Sequence, residues 1–206
     1  MSTNLRVAQP PRAPRRGPAR SRRLQPCEFV RTAFATTLAR VPASPVHIRS
    51  YEPRDREAVR QLYTDGLLGG AIAENDTGFD IDDVELAYMR NPGSHFWIAH
   101  DGGNEVLGMI GVQQLDAGVG EIRRLRVRMD QRRRGIGSML LQRALEFCRD
   151  QGLLKVTLDT YMEREPALKL FQKFNFRHDK TRETGGKQLL FFYLDLYGSS
   201  RSDDDE

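Results

Sequence analysis

Seventeen residues from Leu125 to Leu141 read LRVRMDQRRRGIGSMLL. An alternating, strand-like start runs into a turn rich in arginine and glycine, and the turn opens directly into a helix. That helix carries apolar residues at positions 140, 141, 144, 145 and 148, the spacing of one buried face at 3.6 residues per turn. Gly135 and Gly137 let the backbone approach a ligand closely and take up positive φ. The free N–H groups of the turn and first helical turn point one way, with the positive end of the helix dipole behind them. Arg132, Arg133 and Arg134 add charge at the same place. The prediction is a phosphate cradle assembled largely from backbone. It is neither a Walker loop, because no Gly-Lys-Ser/Thr follows, nor a Gly-x-Gly-x-x-Gly dinucleotide loop. The competing reading is a surface turn whose arginines face water; the strand before it and the helix after it favour the cradle.

The flanking sequence places this unit in a run of alternating strands and helices. Strands are predicted at 46–49, 96–99, 106–115, 121–128, 154–158 and 188–196. Helices are predicted from Pro53, with Ala58, Leu62 and Tyr63 on one face, and from an Asp80 cap, with Val84, Ala87 and Tyr88 inward and an end before Pro92. A further helix spans Pro166 to Phe174, and Asp101-Gly102-Gly103-Asn104 is a hairpin turn. No internal repeat is present. The class is α/β, antiparallel at first and with a crossover helix later.

Charge is unevenly distributed over the 206 residues. The net charge is +4, but residues 1–45 hold nine arginines, one acid and seven of the ten prolines. The expectation for 1–45 is a disordered Arg/Pro-rich extension, because too little apolar surface is available to offset the ordering entropy. An organellar transit peptide or a basic nucleic-acid arm are the functional alternatives for such a leader. Residues 199–206 read as an acidic tail, leaving 46–198 as the folded domain. The longest strongly apolar run is Leu189 to Leu194, far short of the roughly 20 residues that a membrane-spanning helix needs. Two cysteines, Cys27 and Cys148, make no disulfide framework, and four scattered histidines make no metal site.

Arg132-x-x-Gly135-x-Gly137 resembles the Arg/Gln-x-x-Gly-x-Gly/Ala signature of the GNAT superfamily, the acetyl-CoA-dependent N-acyltransferases. Ala167-x-x-Leu170-Phe171-x-Lys173-Phe174-Asn175-Phe176 is similar to that family's Ala-x-x-Leu-Tyr-x-Lys-x-Gly-Phe segment, and 47–49 with 55–59 resembles the camello-type branch. The resemblance implies a single domain with a mixed central sheet of six to seven strands, about four flanking helices, and a splay between two central parallel strands. It implies that the backbone of Leu125, Arg126 and Val127 pairs with the pantetheine amides. Arg132, Arg133, Arg134, Gly135, Ile136, Gly137 and Ser138 would hold the pyrophosphate of acetyl-CoA, the cosubstrate, with no metal.

Direct attack by an amine needs a base and a route for the departing thiolate. Glu121 matches the family's acidic base; its other reading is a surface partner of Arg123. The tyrosine expected as proton donor is Phe171 here, so Tyr161 becomes the candidate donor. The acids Glu74, Asp76 and Asp80 of the segment 66–80 suggest a wall suited to a cationic acceptor. Expected partners are acetyl-CoA and an amine, with a homodimer as an allowed assembly, no membrane, and nucleic acid disfavoured. The expected compartment is the cytoplasm. The rival function is a non-catalytic acyl-CoA-binding or nucleic-acid-binding module.

Overall fold

The computed structural model describes residues 45–67 and 76–198. The expectations for 1–45 and the tail 199–206, and the acid Glu74, fall outside the described residues apart from Pro45.

Seven strands form one sheet in the order β1-β2-β3-β4-β5-β7-β6. They are β1 (His47–Ser50), β2 (His95–His100), β3 (Val106–Asp116), β4 (Val119–Val127), β5 (Lys155–Tyr161), β6 (Arg177–Thr184) and β7 (Lys187–Asp195). Only β4 and β5 run parallel. The helices are α1 (Arg56–Asp65), the short α2 (Phe79–Asp82), α3 (Ile136–Asp150) and α4 (Glu165–Lys173). A π-helical turn, Glu85–Met89, follows α2.

The sheet is buried on both faces. On one, Ile136, Leu140, Leu141, Ala144, Leu145 and Cys148 of α3 cover Ile110, Val112, Ile122, Val156 and Leu158. On the other, Val59, Leu62 and Tyr63 of α1, with Ile81, Val84 and Tyr88, cover Phe96, Ile98 and Met109. A run such as Met109–Ile110, with one side chain in each core, explains why β3 is apolar from Val106 to Val112 rather than alternating.

Three expectations need correction. Asp80 does not cap a helix: Gly78 precedes α2, and Asp80 lies within it. The predicted second helix breaks into α2 and the π-helical turn, a wider coil that brings the Tyr88 hydroxyl 2.5 Å from Asp80 Oδ2. A strand was also missed. β6 reads RHDKTRET and, apart from the half-buried Thr184, faces solvent, so no burial period marks it. It forms because Asn175 turns the chain at φ 62° after α4 and Gly185-Gly186 turn it again, at φ 56° and 71°, into β7.

Candidate active site

The parallel ladder between β4 and β5 is short. Val119, Gly120 and Glu121 pair with Lys155, Val156 and Thr157, and the pairing stops there. Beyond Glu121, β4 keeps its antiparallel partner β3, and β5 keeps β7. The two parallel strands therefore part, leaving a cleft whose β4 wall is Ile122 to Val127. Main-chain groups on that wall have no ladder partner on the β5 side, so water or an extended ligand must satisfy them. Leu125, Arg126 and Val127, expected to pair with pantetheine, all lie on this stretch.

A bulge shapes the same wall. Arg124 and Leu125 together oppose Ile110, between the pairs Met109–Arg126 and Gly111–Arg123. Arg124 takes φ 59°, a left-handed conformation uncommon outside glycine. Bulges bend a strand and re-aim its side chains. Here Glu121, Arg123, Arg124 and Arg126 all end on the α1–α2 face, whereas Ile122, Leu125 and Val127 belong to the α3 core.

At the top of β4 lies the turn expected to cradle a phosphate. A 3-10 turn at Met129–Gln131 leads to Arg132, after which Arg133 (φ 65°) and Gly135 (φ 83°) both turn left-handed. The first helical bond reaching outside α3 is Met139 N–H to Gly135 O at 3.0 Å. The N–H groups of Ile136, Gly137 and Ser138 thus precede every intrahelical acceptor and face outward together. A Cβ on Gly135 would meet open space, so the cradle is not filled by protein. Arg132 Nε reaches back to Val127 O at 3.3 Å, linking the cradle to the cleft wall, and Arg134 donates to Gln131. These residues fit an anionic group bound mainly by backbone N–H.

Glu121 stands where the strands part. Burial raises its carboxyl above the usual carboxylate range, and nearby Asp159 adds to that, while Arg123 opposes it. Arg123 Nε lies 3.7 Å from Glu121 Oε2. The carboxylate is paired with Arg123, and it is three-quarters buried at the fork of the cleft, with 23% of its side chain exposed. Tyr161 closes β5 opposite Leu189, half-buried, its phenol raised by burial and by Asp159. Phe171 faces the α3-side core, 4% exposed, its ring centroid 5.8 Å from that of Phe176.

Two of the acids expected to line the acceptor side, Asp76 and Asp80, are held by one arginine. Arg124 binds Asp76 through Nη1 and Nη2 at 2.7 and 2.8 Å, and Asp80 through Nε at 2.8 Å and Nη2 at 2.5 Å. Burial alone would raise the Asp80 carboxyl, but hydrogen bonds from Arg124 and Tyr88 outweigh it and hold it below the ordinary value. Asp76 behaves likewise, with Arg124 as its chief partner. Both acids hold structure, yet one guanidinium against two carboxylates leaves the cluster with net negative charge.

Sequence reasoning placed Asp159 at the splayed strand end without weighing its carboxyl, and it missed Arg164. Asp159 shares the β5 face of Thr157 and Tyr161; it is solvent-exposed, yet the protein crowded around it strips enough water to raise its carboxyl. The two-residue spacing from Tyr161 was a usable signal; for Arg164, in the turn before α4, there was none. Among the described residues no cluster of His, Cys, Asp or Glu could hold a metal ion, and no helix is long and apolar enough to cross a membrane.

A mixed sheet whose one parallel pair parts beneath a backbone-built anion cradle defines a transferase scaffold for a long, phosphate-bearing acyl carrier. The chain belongs to the acetyltransferase (GNAT) family, whose model matches residues 56–176, more than half of its length. It is 34% identical over 103 residues to N-acetyltransferase 8 of Homo sapiens, covering 48% of this chain and 45% of that protein. It is 31% identical over 100 residues to the probable N-acetyltransferase camello of Xenopus laevis, again covering 48% and 45%. The chain thus spans about half the length of these curated relatives. In three dimensions it is similar to yncA of Salmonella typhimurium, solved with its cofactor acetyl-CoA: TM-score 0.63 and 18% identity over 78% of this chain and 99% of that one.

Proposed function

We propose that this chain transfers acetyl from acetyl-CoA to an amine by direct attack. The observation that carries the reading is the parting of β4 from β5 after Glu121, on the strand that runs on into the turn before the open N–H groups of Ile136, Gly137 and Ser138. The cradle of Arg132 to Ser138 would take the pyrophosphate, and the unpaired edge at Leu125, Arg126 and Val127 would take the pantetheine arm as an added strand.

The chemistry follows from the groups at the fork. An ammonium has no lone pair, so Glu121 takes its proton, directly or through one water; its raised pKa makes it a better base than an exposed carboxylate. The amine nitrogen attacks the thioester carbonyl carbon and the C–N bond forms; the nitrogen then sheds its second proton to water as the C–S bond breaks and the sulfur leaves as thiolate. Tyr161 stands on the β5 side of the cleft as proton donor to that sulfur. Phe171 has no proton to give.

We assign the activity to residues 46–198, with 1–45 and 199–206 outside the catalytic body. The sparse cysteines suit a reducing compartment, and the cytoplasm is our assignment. A homodimer is a compatible assembly, read out by light scattering. The decisive experiment measures thiol release from acetyl-CoA against a panel of amines. Turnover with formation of the N-acetyl product supports the reading, and acetyl-CoA binding with no turnover on any amine overturns it in favour of a non-catalytic binding module.

A further inference from the structure

Glu121, Arg123 and Gln113 share one patch of the α1–α2 face. Glu121 and Arg123 are two residues apart on β4 and project to the same side, and Gln113 on β3 stands directly opposite Glu121. Arg123 itself opposes Gly111. A Cβ at Gly111 would lie 2.6 Å from Tyr88 Cε1 and 2.9 Å from Phe96 Cδ2, so packed rings occupy the place of a side chain there. The guanidinium leans diagonally instead, and its Nη1 donates to Gln113 Oε1 at 2.9 Å. The other end of the same amide is engaged too: Gln113 Nε2 donates to Ala87 O, in the π-helical turn, at 3.2 Å. Carbonyl acceptance on one side and N–H donation on the other fix the amide with its oxygen toward Arg123.

This tether decides how Arg123 meets the carboxylate. Arg123 Nε stays 3.7 Å from Glu121 Oε2, near enough for attraction and too far for a hydrogen bond. An untethered arginine at this spacing would close into a charge-assisted contact of about 2.7–2.9 Å, forked over both oxygens. Such a contact would occupy the carboxylate and stabilise its charge, making it a weaker base.

Loss of Arg123 would err in the other direction. Burial raises the Glu121 carboxyl, and Asp159 from β5 and Asp80 from α2 push the same way, while Arg123 and Arg124 from β4 oppose them. Arg124 is already bound to Asp76 and Asp80, and Tyr88, from the π-helical turn, bonds Asp80 through its hydroxyl and adds no charge. Arg123 is thus the cation at Glu121 that is not committed to other carboxylates.

We propose that Gln113 is a positioning residue: by holding the Arg123 guanidinium at a distance, it keeps Glu121 ionised while leaving the carboxylate oxygens free for the acceptor's proton. This rests on the reading of Glu121 as the base. The π-helical turn then has a task as well, because its Ala87 carbonyl sets the Gln113 amide.

The test follows the Glu121 carboxyl in the full chain in two ways. One is carbon-13 NMR titration of glutamate-labelled protein, with the resonance assigned by its absence in Glu121→Gln; it needs no acceptor. The other is the pH dependence of kcat/KM with acetyl-CoA and the panel amine of highest turnover. Gln113→Met keeps a similar volume at the rim of an open cleft lined by Ala87, Asn91 and Ser94, but it removes the acceptor that holds Arg123. Its Glu121 titration and the acid limb of its rate profile should both move to lower pH. Its rate near neutral pH should fall about 10-fold, short of the roughly 10²-fold expected for Glu121→Gln. Arg123→Gln should move both readouts to higher pH. Gln113→Glu, which still accepts from Arg123, should keep both at or above the parental position. Opposite shifts from neighbouring substitutions cannot come from a general loosening of the strand pair. A titration that moves as stated beside an unmoved rate profile keeps Gln113 in its positioning role and removes Glu121 as the base. An unmoved titration in Gln113→Met, or shifts of one sign in Gln113→Met and Arg123→Gln, overturns the proposal.

Discussion

The two ends of the β4 wall are built from different materials. The top, from Arg132 to Ser138, presents main-chain N–H groups, and its shape depends on two left-handed residues and the start of one helix. The α1–α2 face beneath it is built from side chains: Arg124 locked to Asp76 and Asp80, with Tyr88 bonded to Asp80. On the proposed reading the first would grip an anion with little regard to which side chains surround it. The second holds its shape only while every partner is present, because a buried charge without its mate is far costlier than a missing surface contact. A local unit can carry a shared task, such as gripping a coenzyme, whereas a face assembled from distant residues can differ in detail from chain to chain.

Substitutions at the two ends should separate these principles. Gly135→Asp puts a negative charge at the cradle and a side chain on a backbone at φ 83°, in open space. It should abolish calorimetrically detectable acetyl-CoA binding in a protein whose circular dichroism is unchanged; near-normal affinity would show that the cradle holds no phosphate. Arg124→Met leaves Asp80, 11% exposed, without its main partner. It should cost about 3–5 kcal/mol of stability by denaturant unfolding. A loss under ~1 kcal/mol, the range of a surface pair, would mean the network is dispensable.

Glu121→Gln tests the fork between the two regions. Its kcat/KM should fall by roughly 10²-fold near neutral pH, shrinking as pH rises and free amine becomes abundant. A stability effect of opposite sign accompanies it. Burial raises the folded-state pKa of Glu121, so folding is favoured below the unfolded value and that advantage is lost as pH rises through the folded one. Glutamine carries no such ionisation, so the variant should melt slightly higher than the parent at neutral pH and lose that margin in acid. An unchanged rate at every pH would return Glu121 to its role as the partner of Arg123. The smallest effect is expected for removal of residues 1–45, whose composition offers little to pack. Melting temperature and acetyl-CoA affinity should stay within error, and a clear drop in either would tie that segment to the domain.

The contrast also explains what could be read from the chain. Gly135, Gly137 and the three arginines before them act within a few residues of one another, so their spacing announces the cradle. The α3 face at 140, 141, 144, 145 and 148 is equally local, and all five residues are buried. Arg124 gives no such announcement. Its role depends on a bulge against Ile110 and on partners 44 and 48 residues away, and periodicity reports neither. Asp76 and Asp80 were half legible for the same reason: their charge was visible, while the one arginine that pairs with both was not. Phe171 marks another boundary, since the motif flagged its missing hydroxyl but could not tell that the ring lies in the core.

The strand that left no hydrophobic trace has a consequence for how the molecule keeps company. β6 ends the sheet, and its outer backbone edge would be a template for another strand. His178, Asp179, Lys180, Thr181, Arg182 and Glu183 all face water there, and Lys180 and Arg182 each lie 5.3 Å from the ring centre of Phe191 on the adjacent strand. A second chain adding itself to this edge would have to strip water from a dense row of charge. Such a border discourages stacking into fibres, so the polarity that hid β6 from the eye is what lets a long apolar sheet survive at high concentration.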